Sequence, residues 1–184
     1  MTHVRNPLIL MVVALAIFVG CSPTASEPIK TGSFQSVTGR DLRIVTGQTL
    51  YVPAYSEVLL GTDRSHQLAV TLAVHNTDLD APIFLQSVRF YDTDGNIVRN
   101  YVEETIEVSP LATTGFLVEV NDTTGGWGSN FVVEWVAEEA VYEPVVEAVM
   151  VSRRGAQGFS MISLGRVISQ TNVETDETTE EDEE

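Results

Sequence analysis

The chain has 184 residues, enough for one domain with a substantial core, and carries 26 acidic against 10 basic side chains, a net charge of −16. That balance, with no basic patch, argues against nucleic acid as a partner. A single cysteine excludes an internal disulfide and a multi-cysteine zinc site.

The first 20 residues read as a secretory signal. "MTHVRNP" carries Arg5 and no acid, and the run Leu8 to Val19 is unbroken apolar. At about 1.5 Å per residue that run reaches only about 18 Å as a helix, short of the roughly 30 Å hydrocarbon core of a bilayer. Gly20 stands immediately before Cys21. This junction resembles the lipobox of bacterial lipoproteins, in which the cysteine thiol is acylated and the signal is cut just before it. Phe18 departs from the Leu usual three residues before the cysteine. The resemblance implies lipid attachment at Cys21, and Ser22 in second place implies export to the outer membrane, facing the periplasm. Buried methylenes contribute about 0.8 kcal/mol each, and stable anchoring needs more than one acyl chain, which such a modification supplies. Residues 21–35, with "SPTASEPIKTGS" after the cysteine, read as a small, polar, proline-containing tether.

Residues 36–170 are expected to form the folded domain. "LAVTLAV" places Leu68, Val70, Leu72 and Val74 on one face, with His75 falling on the more polar one. "FLVEV" repeats the pattern, and "NFVVEWVA" aligns Phe131, Val133 and Trp135 as core. "VVEAVMVS" and "GFSMISL" are two more period-two runs, rich in β-branched residues and separated by turn signals. No helical period is sustained after the signal; Pro144 interrupts the nearest approach, "AEEAVYEPVVEA". The prediction is an all-β, antiparallel, immunoglobulin-like sandwich, with a closed barrel as the alternative. The stretch 171–184 ends the chain. "NVETDETTEEDEE" within it holds eight acids and no base, which predicts a disordered tail.

The runs "TLYVPAYSEV", "LAVHNTD", "VRFYDTDGNIVRNYVE", "SPLATTGFLVE", "TTGGWGSNFVVEW" and "EPVVEAVMVSRRGAQGFSMISLGRVI" together resemble the bacterial family called domain of unknown function 3124. The resemblance covers nearly all of residues 50–168. It implies an envelope-associated protein, often a lipoprotein, and no particular activity. The position held by Trp127 is usually small in that family, so a role for Trp127 would be particular to this chain.

Chemistry-bearing constellations are few. "DTDGN" spaces Asp92, Asp94 and Asn96 like the start of an EF-hand loop, with Glu103 in the twelfth place, but Ile97 stands where the loop needs Gly. Asp-Gly between alternating runs predicts a hairpin turn, with no metal. His66 and His75 lie near no G-x-S-x-G elbow, and "TTGGWGSN" lacks the Lys-Ser/Thr end of a phosphate loop, so it reads as a long mobile connection. Glu134, Glu143 and Glu147 lie in or near strands, and Glu134 could meet Glu147 across adjacent strands as a glycosidase pair. Trp127, flanked by glycines, is expected to be exposed. It heads the candidate binding residues, with Asn130, Tyr51 and Tyr55. The expectation is a lipid-anchored module that binds an envelope protein or polysaccharide, with no catalytic residues and no cofactor. The alternative is an envelope hydrolase acting on glycan with an acid pair not evident in the sequence.

Overall fold

The structure, a computed structural model, describes residues 35–37, 39–154 and 157–172. The signal, the tether up to residue 34 with Cys21, and the acidic tail after residue 172 lie outside the described residues, while Gln35, the last residue of the expected tether, already belongs to a strand. The described residues form strands with no helix, in chain order β1 (Gln35–Ser36), β2 (Thr46–Pro53), β3 (Glu57–Leu59), β4 (Ser65–Gln67), β5 (Ala69–His75), β6 (Ile83–Tyr91), β7 (Ile97–Val102), β8 (Ile106–Val108), β9 (Thr113–Val118), β10 (Asn130–Ala137), β11 (Val145–Arg154), β12 (Gln157–Leu164) and β13 (Arg166–Asn172). Among these residues no helix is long and apolar enough to cross a membrane.

Two antiparallel sheets make the predicted sandwich. One runs β12-β11-β5-β9; the other runs β1-β8-β6-β10-β2-β13, with β7 also on β6. The links β5 to β6, β8 to β9 and β9 to β10 each cross from one sheet to the other, as in an immunoglobulin-like sandwich. Period-two sequence produces this directly. Val70, Leu72 and Val74 of β5 and Phe131, Val133 and Trp135 of β10 turn inward and are buried, because alternate side chains of a strand share a face. Phe90 and Phe131 pack tilted on one another, 4.9 Å between centroids, in the same core.

The two open sides of the sandwich are fastened differently. On one, the half-buried Tyr101 of β7 spans the gap, and its hydroxyl donates to the Leu117 carbonyl of β9 at 2.8 Å. On the other, β12 and β13 are one extended segment that changes sheets at Gly165. The Gly165 N–H donates to the Val146 carbonyl at 2.8 Å, and a Cβ at this position would lie 3.0 Å from that oxygen and 3.1 Å from Leu50 Cδ2. A side chain here would push the Val146 carbonyl or Leu50 aside by a few tenths of an ångström, so glycine lets the chain pass close to both sheets without that shift. β13 keeps Thr171 and Asn172 paired with β2, so the strand runs past the expected end of the domain at residue 170.

Candidate functional site

The ends of β2, β6, β9 and β11 meet the starts of β5, β10 and β12 at one end of the sandwich, where the register pairs Pro53 with Asn130 and Tyr91 with Asn130. The connection 119–129, the turn 92–96, the segment 54–56 and the β3–β4 hairpin all gather there. Hydrogen bonds sew them together. The Gly125 carbonyl accepts from Thr93 N at 3.0 Å and from Thr93 Oγ1 at 3.1 Å, and Gly128 N donates back to Thr93 Oγ1 at 3.0 Å. Ser56 Oγ donates to the Gly126 carbonyl at 2.8 Å, and Ser129 Oγ donates to the Ala54 carbonyl. Gly126 adopts φ +72°, a left-handed conformation that glycine takes without steric cost. A Cβ on Gly125 would fall 2.4 Å from Phe90 Cζ, so the connection packs directly against the tip of that core ring. The expected long mobile connection is therefore fastened on two sides.

Asp122 ties down the start of this connection. Its carboxylate accepts from Arg99 Nη2 at 2.8 Å and from Thr124 N at 3.1 Å, while Arg99 Nη1 donates to the Tyr101 hydroxyl at 2.8 Å. Desolvation works to raise the Asp122 pKa, but the bonds from Thr124 and Arg99 outweigh it and hold the pKa below the ordinary value. Burial raises the Tyr101 pKa, so the hydroxyl stays protonated and can donate to Leu117.

This frame presents Trp127 to solvent with 52% of its surface exposed. Leu59 and Leu60 at the β3–β4 tip, Val120 and Phe159 are exposed at the same end. The same end carries a shallow cleft of about 410 Å³ lined by Ser65, His66, Gln67, Val120, Ser152 and Arg153. His66 Nε2 is 2.7 Å from Ser152 Oγ, and the imidazole packs tilted on Phe159 at 5.3 Å between centroids. The Ser152 hydroxyl is also 2.8 Å from the Gln67 carbonyl, which competes for its single proton. Among the described residues no carboxylate bonds to the other ring nitrogen of His66, so the pair lacks the orienting third group of a nucleophilic triad. Sequence reasoning missed this pair because β4 and β11 are 86 residues apart at the contact.

The other candidates are dispersed. Tyr55 is half-buried against the core next to the fastened connection, its N–H directed at Met150 Sδ at 3.2 Å. Tyr51 lies on the outer face of β2 opposite Val132 and Arg166, set along the sheet from the loop cluster. Asn130 begins β10 and is only 9% exposed, so it stands behind the connection and not on its surface. Glu134 and Glu147 belong to different sheets, contrary to the expected cross-strand meeting, because β10 pairs with β2 and β6 while β11 pairs with β5 and β12. Each has its own basic neighbour: Glu134 pairs with Arg89, and Glu147 lies 3.8 Å from His75. Glu143 accepts from Gln48 Nε2 at 2.6 Å.

The "DTDGN" segment forms the turn of the β6–β7 hairpin. Asp92 Oδ1 accepts from the backbone N–H of Asn96 at 2.8 Å and of Asp94 at 2.9 Å, and Gly95 sits at φ +83°. The bonds from Asn96 lower the Asp92 pKa and commit the carboxylate to the turn.

The opposite end of the sandwich is held by a polar knot that periodicity could not show. Asn76, almost wholly buried, donates to the carbonyls of Ala81 at 2.9 Å and Val108 at 3.0 Å and accepts from Asp78 N at 3.0 Å. Asp78 in turn accepts from the backbone of Asp80, Ala81 and Tyr142. The "HNTD" after an alternating run was the available signal, since Asn and Asp commonly bond to backbone two residues on.

The family pattern described as "Protein of unknown function (DUF3124)" matches residues 47–168. The chain is also similar to a solved structure titled "Crystal Structure of Thermotoga maritima 1070", at 11% identity, covering 65% of this chain and 92% of that one with a TM-score of 0.37. No curated protein matches the chain.

Proposed function

The chain belongs to the DUF3124 family, and on that premise we propose that it is a lipid-anchored protein of the bacterial cell envelope whose sandwich is a non-catalytic binding module. The observation that carries the binding role is the fastened end of the sandwich. A glycine-bearing connection, packed on Phe90 and bonded to Thr93 and Ser56, holds Trp127 out into water at the end of the sandwich where Leu59, Leu60, Val120 and Phe159 are also exposed. Holding an exposed indole on a rigid frame lowers the ordering cost of association, and aromatic anchors often dominate interface energies. The exposed aliphatic residues at this end suit an apolar protein surface better than a sugar face. The partner is therefore a protein of the envelope. Anchoring is proposed at Cys21, where Gly20 and the short apolar run before it carry the lipoprotein pattern, with the domain facing the periplasm from the outer membrane.

The test uses the full chain as bait on the envelope fraction, beside Trp127→Ala. Retention of a discrete protein that the variant loses supports the reading. Equal retention by both removes this end as the binding surface, and retention on purified envelope polysaccharide alone assigns a glycan partner instead. Cys21→Ser should abolish incorporation of a palmitate analogue and release the protein from membranes; persistence of both overturns the anchor.

A further inference from the structure

Open strand edges are templates for pairing with another chain, and folded proteins blunt them. Four of the edges in this sandwich are blunted. β1 has only two residues among those described. β7 is irregular against β6, with register shifts at two places. β9 is covered at Leu117 by the Tyr101 hydroxyl. β13 carries a bulge between Val167 and Ser169 that throws Ile168 out of register, and it begins with Arg166. Among the described residues, β12 has none of these devices. Its eight residues, "QGFSMISL", hold no charge and no proline, and they pair with β11 in unbroken register from Gln157 to Leu164.

The apolar character of this edge continues onto the sheet. Ile162 and Leu164 point outward from β12 and are 62% and 67% exposed. In register beside them stand Val149 and Glu147 of β11, with Val151 and Val145 on the same outer face and Leu117 across the sheet on β9. Charge then narrows the choice of occupant. In a chain of net charge −16, two copies repel wherever acids face acids, yet the 26 residues between Glu147 and Glu174 include no acid. The uncharged edge lies inside this stretch.

We infer that β12 is the edge through which two copies of this chain pair, antiparallel and about a two-fold axis, joining two four-stranded sheets into one of eight. A two-fold pairing of a strand with itself needs no second sequence, and it places the Ile162 and Leu164 surface of both copies on one continuous face. At about 3.4 Å per residue the edge is about 27 Å long, and a sheet with its side chains is about 10 Å across, so the footprint is a few hundred Å² per copy. Stable pairs bury about 800 Å² per partner. The association is accordingly weak and concentration-dependent, with a dissociation constant on the order of micromolar to hundreds of micromolar.

Sedimentation of the full chain in detergent micelles, from about 5 to about 500 µM, tests this independently of the anchor and of the Trp127 surface. The mass should move from monomer toward dimer across that range. Ile162→Lys and Ser160→Lys, both at exposed positions and each checked for an unchanged melting temperature, should each weaken the dimer at least about tenfold by placing like charges across the pair. Ile168→Lys, on the bulged edge, should leave it unchanged. Slowed exchange of β12 amides at high concentration, absent at low concentration, is the second readout. A monomer at every concentration overturns the inference. So does a dimer indifferent to both β12 substitutions, or one weakened by Ile168→Lys instead.

Discussion

Substituting Gly125 by Ala probes the link between core packing and the surface that carries Trp127. The added methyl would meet Phe90 Cζ at 2.4 Å and Ser129 Cβ at 2.7 Å, whereas carbon atoms rest about 3.5–4 Å apart. One side must move by about 1 Å. Phe90 has little room to do so: it is fully buried, with the Phe131 ring packed 4.9 Å away. The connection must therefore lift, and in lifting it strains the two bonds from Thr93 to the Gly125 carbonyl. Overpacking of this kind costs about 1–3 kcal/mol, and hydrogen bonds contribute about 1 kcal/mol each. The expected loss is about 2–4 kcal/mol, a fall in melting temperature of about 8–16 °C at roughly 4 °C per kcal/mol for a domain of this size. Calorimetry reads the stability, and iodide quenching reads Trp127 separately, because Trp135 is buried and Trp127 is not. Gly61→Ala is the matched control, since its nearest atom would be 3.8 Å away, and it should stay within about 0.5 kcal/mol of the parent. A Gly125→Ala variant as stable as the control, with unchanged quenching, refutes the packing of this connection on Phe90.

Trp127→Ala should change stability by no more than about 0.5 kcal/mol, because the side chain is mostly in water; a loss near 3 kcal/mol in thermal unfolding would mean that it plugs the core. Asn76→Ala removes the side-chain donor to the buried carbonyls of Ala81 and Val108 and should cost about 2–6 kcal/mol by denaturant titration, at about 1–3 kcal/mol per group deprived of its bond. Asp122 has a folded pKa below its unfolded value, so the stability it contributes is complete above about pH 4 and is lost as the pH falls through the folded value. Asp122→Asn should flatten that acid limb in unfolding curves while leaving the slope above about pH 5 unchanged. Removing the residues after Asn172 should leave the melting temperature nearly unchanged, whereas truncation after Gln170 removes two residues paired with β2 and should lower it.

Local sequence determined the strands and their inward faces. Leu68, Val70, Leu72 and Val74 are buried, and Trp135 is core, because alternation forces every second side chain to one side of a strand whatever the partner is. The turn at "DTDGN" was legible for a similar reason: Asp92 bonds only to neighbours within four residues, and Gly95 supplies the positive φ without help from the rest of the fold. The exposure of Trp127 was legible in its flanking glycines. What its loop rests on was not, since Phe90, Thr93 and Ser56 come from other parts of the chain. Strand order was equally silent. Glu134 and Glu147, similar in sequence setting, fall in different sheets, and His66 reaches Ser152 only because β4 and β11 end together. Whether an edge is blunted depends on what lies beside it: Tyr101 covers β9, and among the described residues no strand pairs with the outer edge of β12. Periodicity reports which way a side chain points relative to its own strand. Neighbours, edges and the company a polar group keeps are set by long-range pairing, for which the alternating pattern is the same in every strand and carries no address.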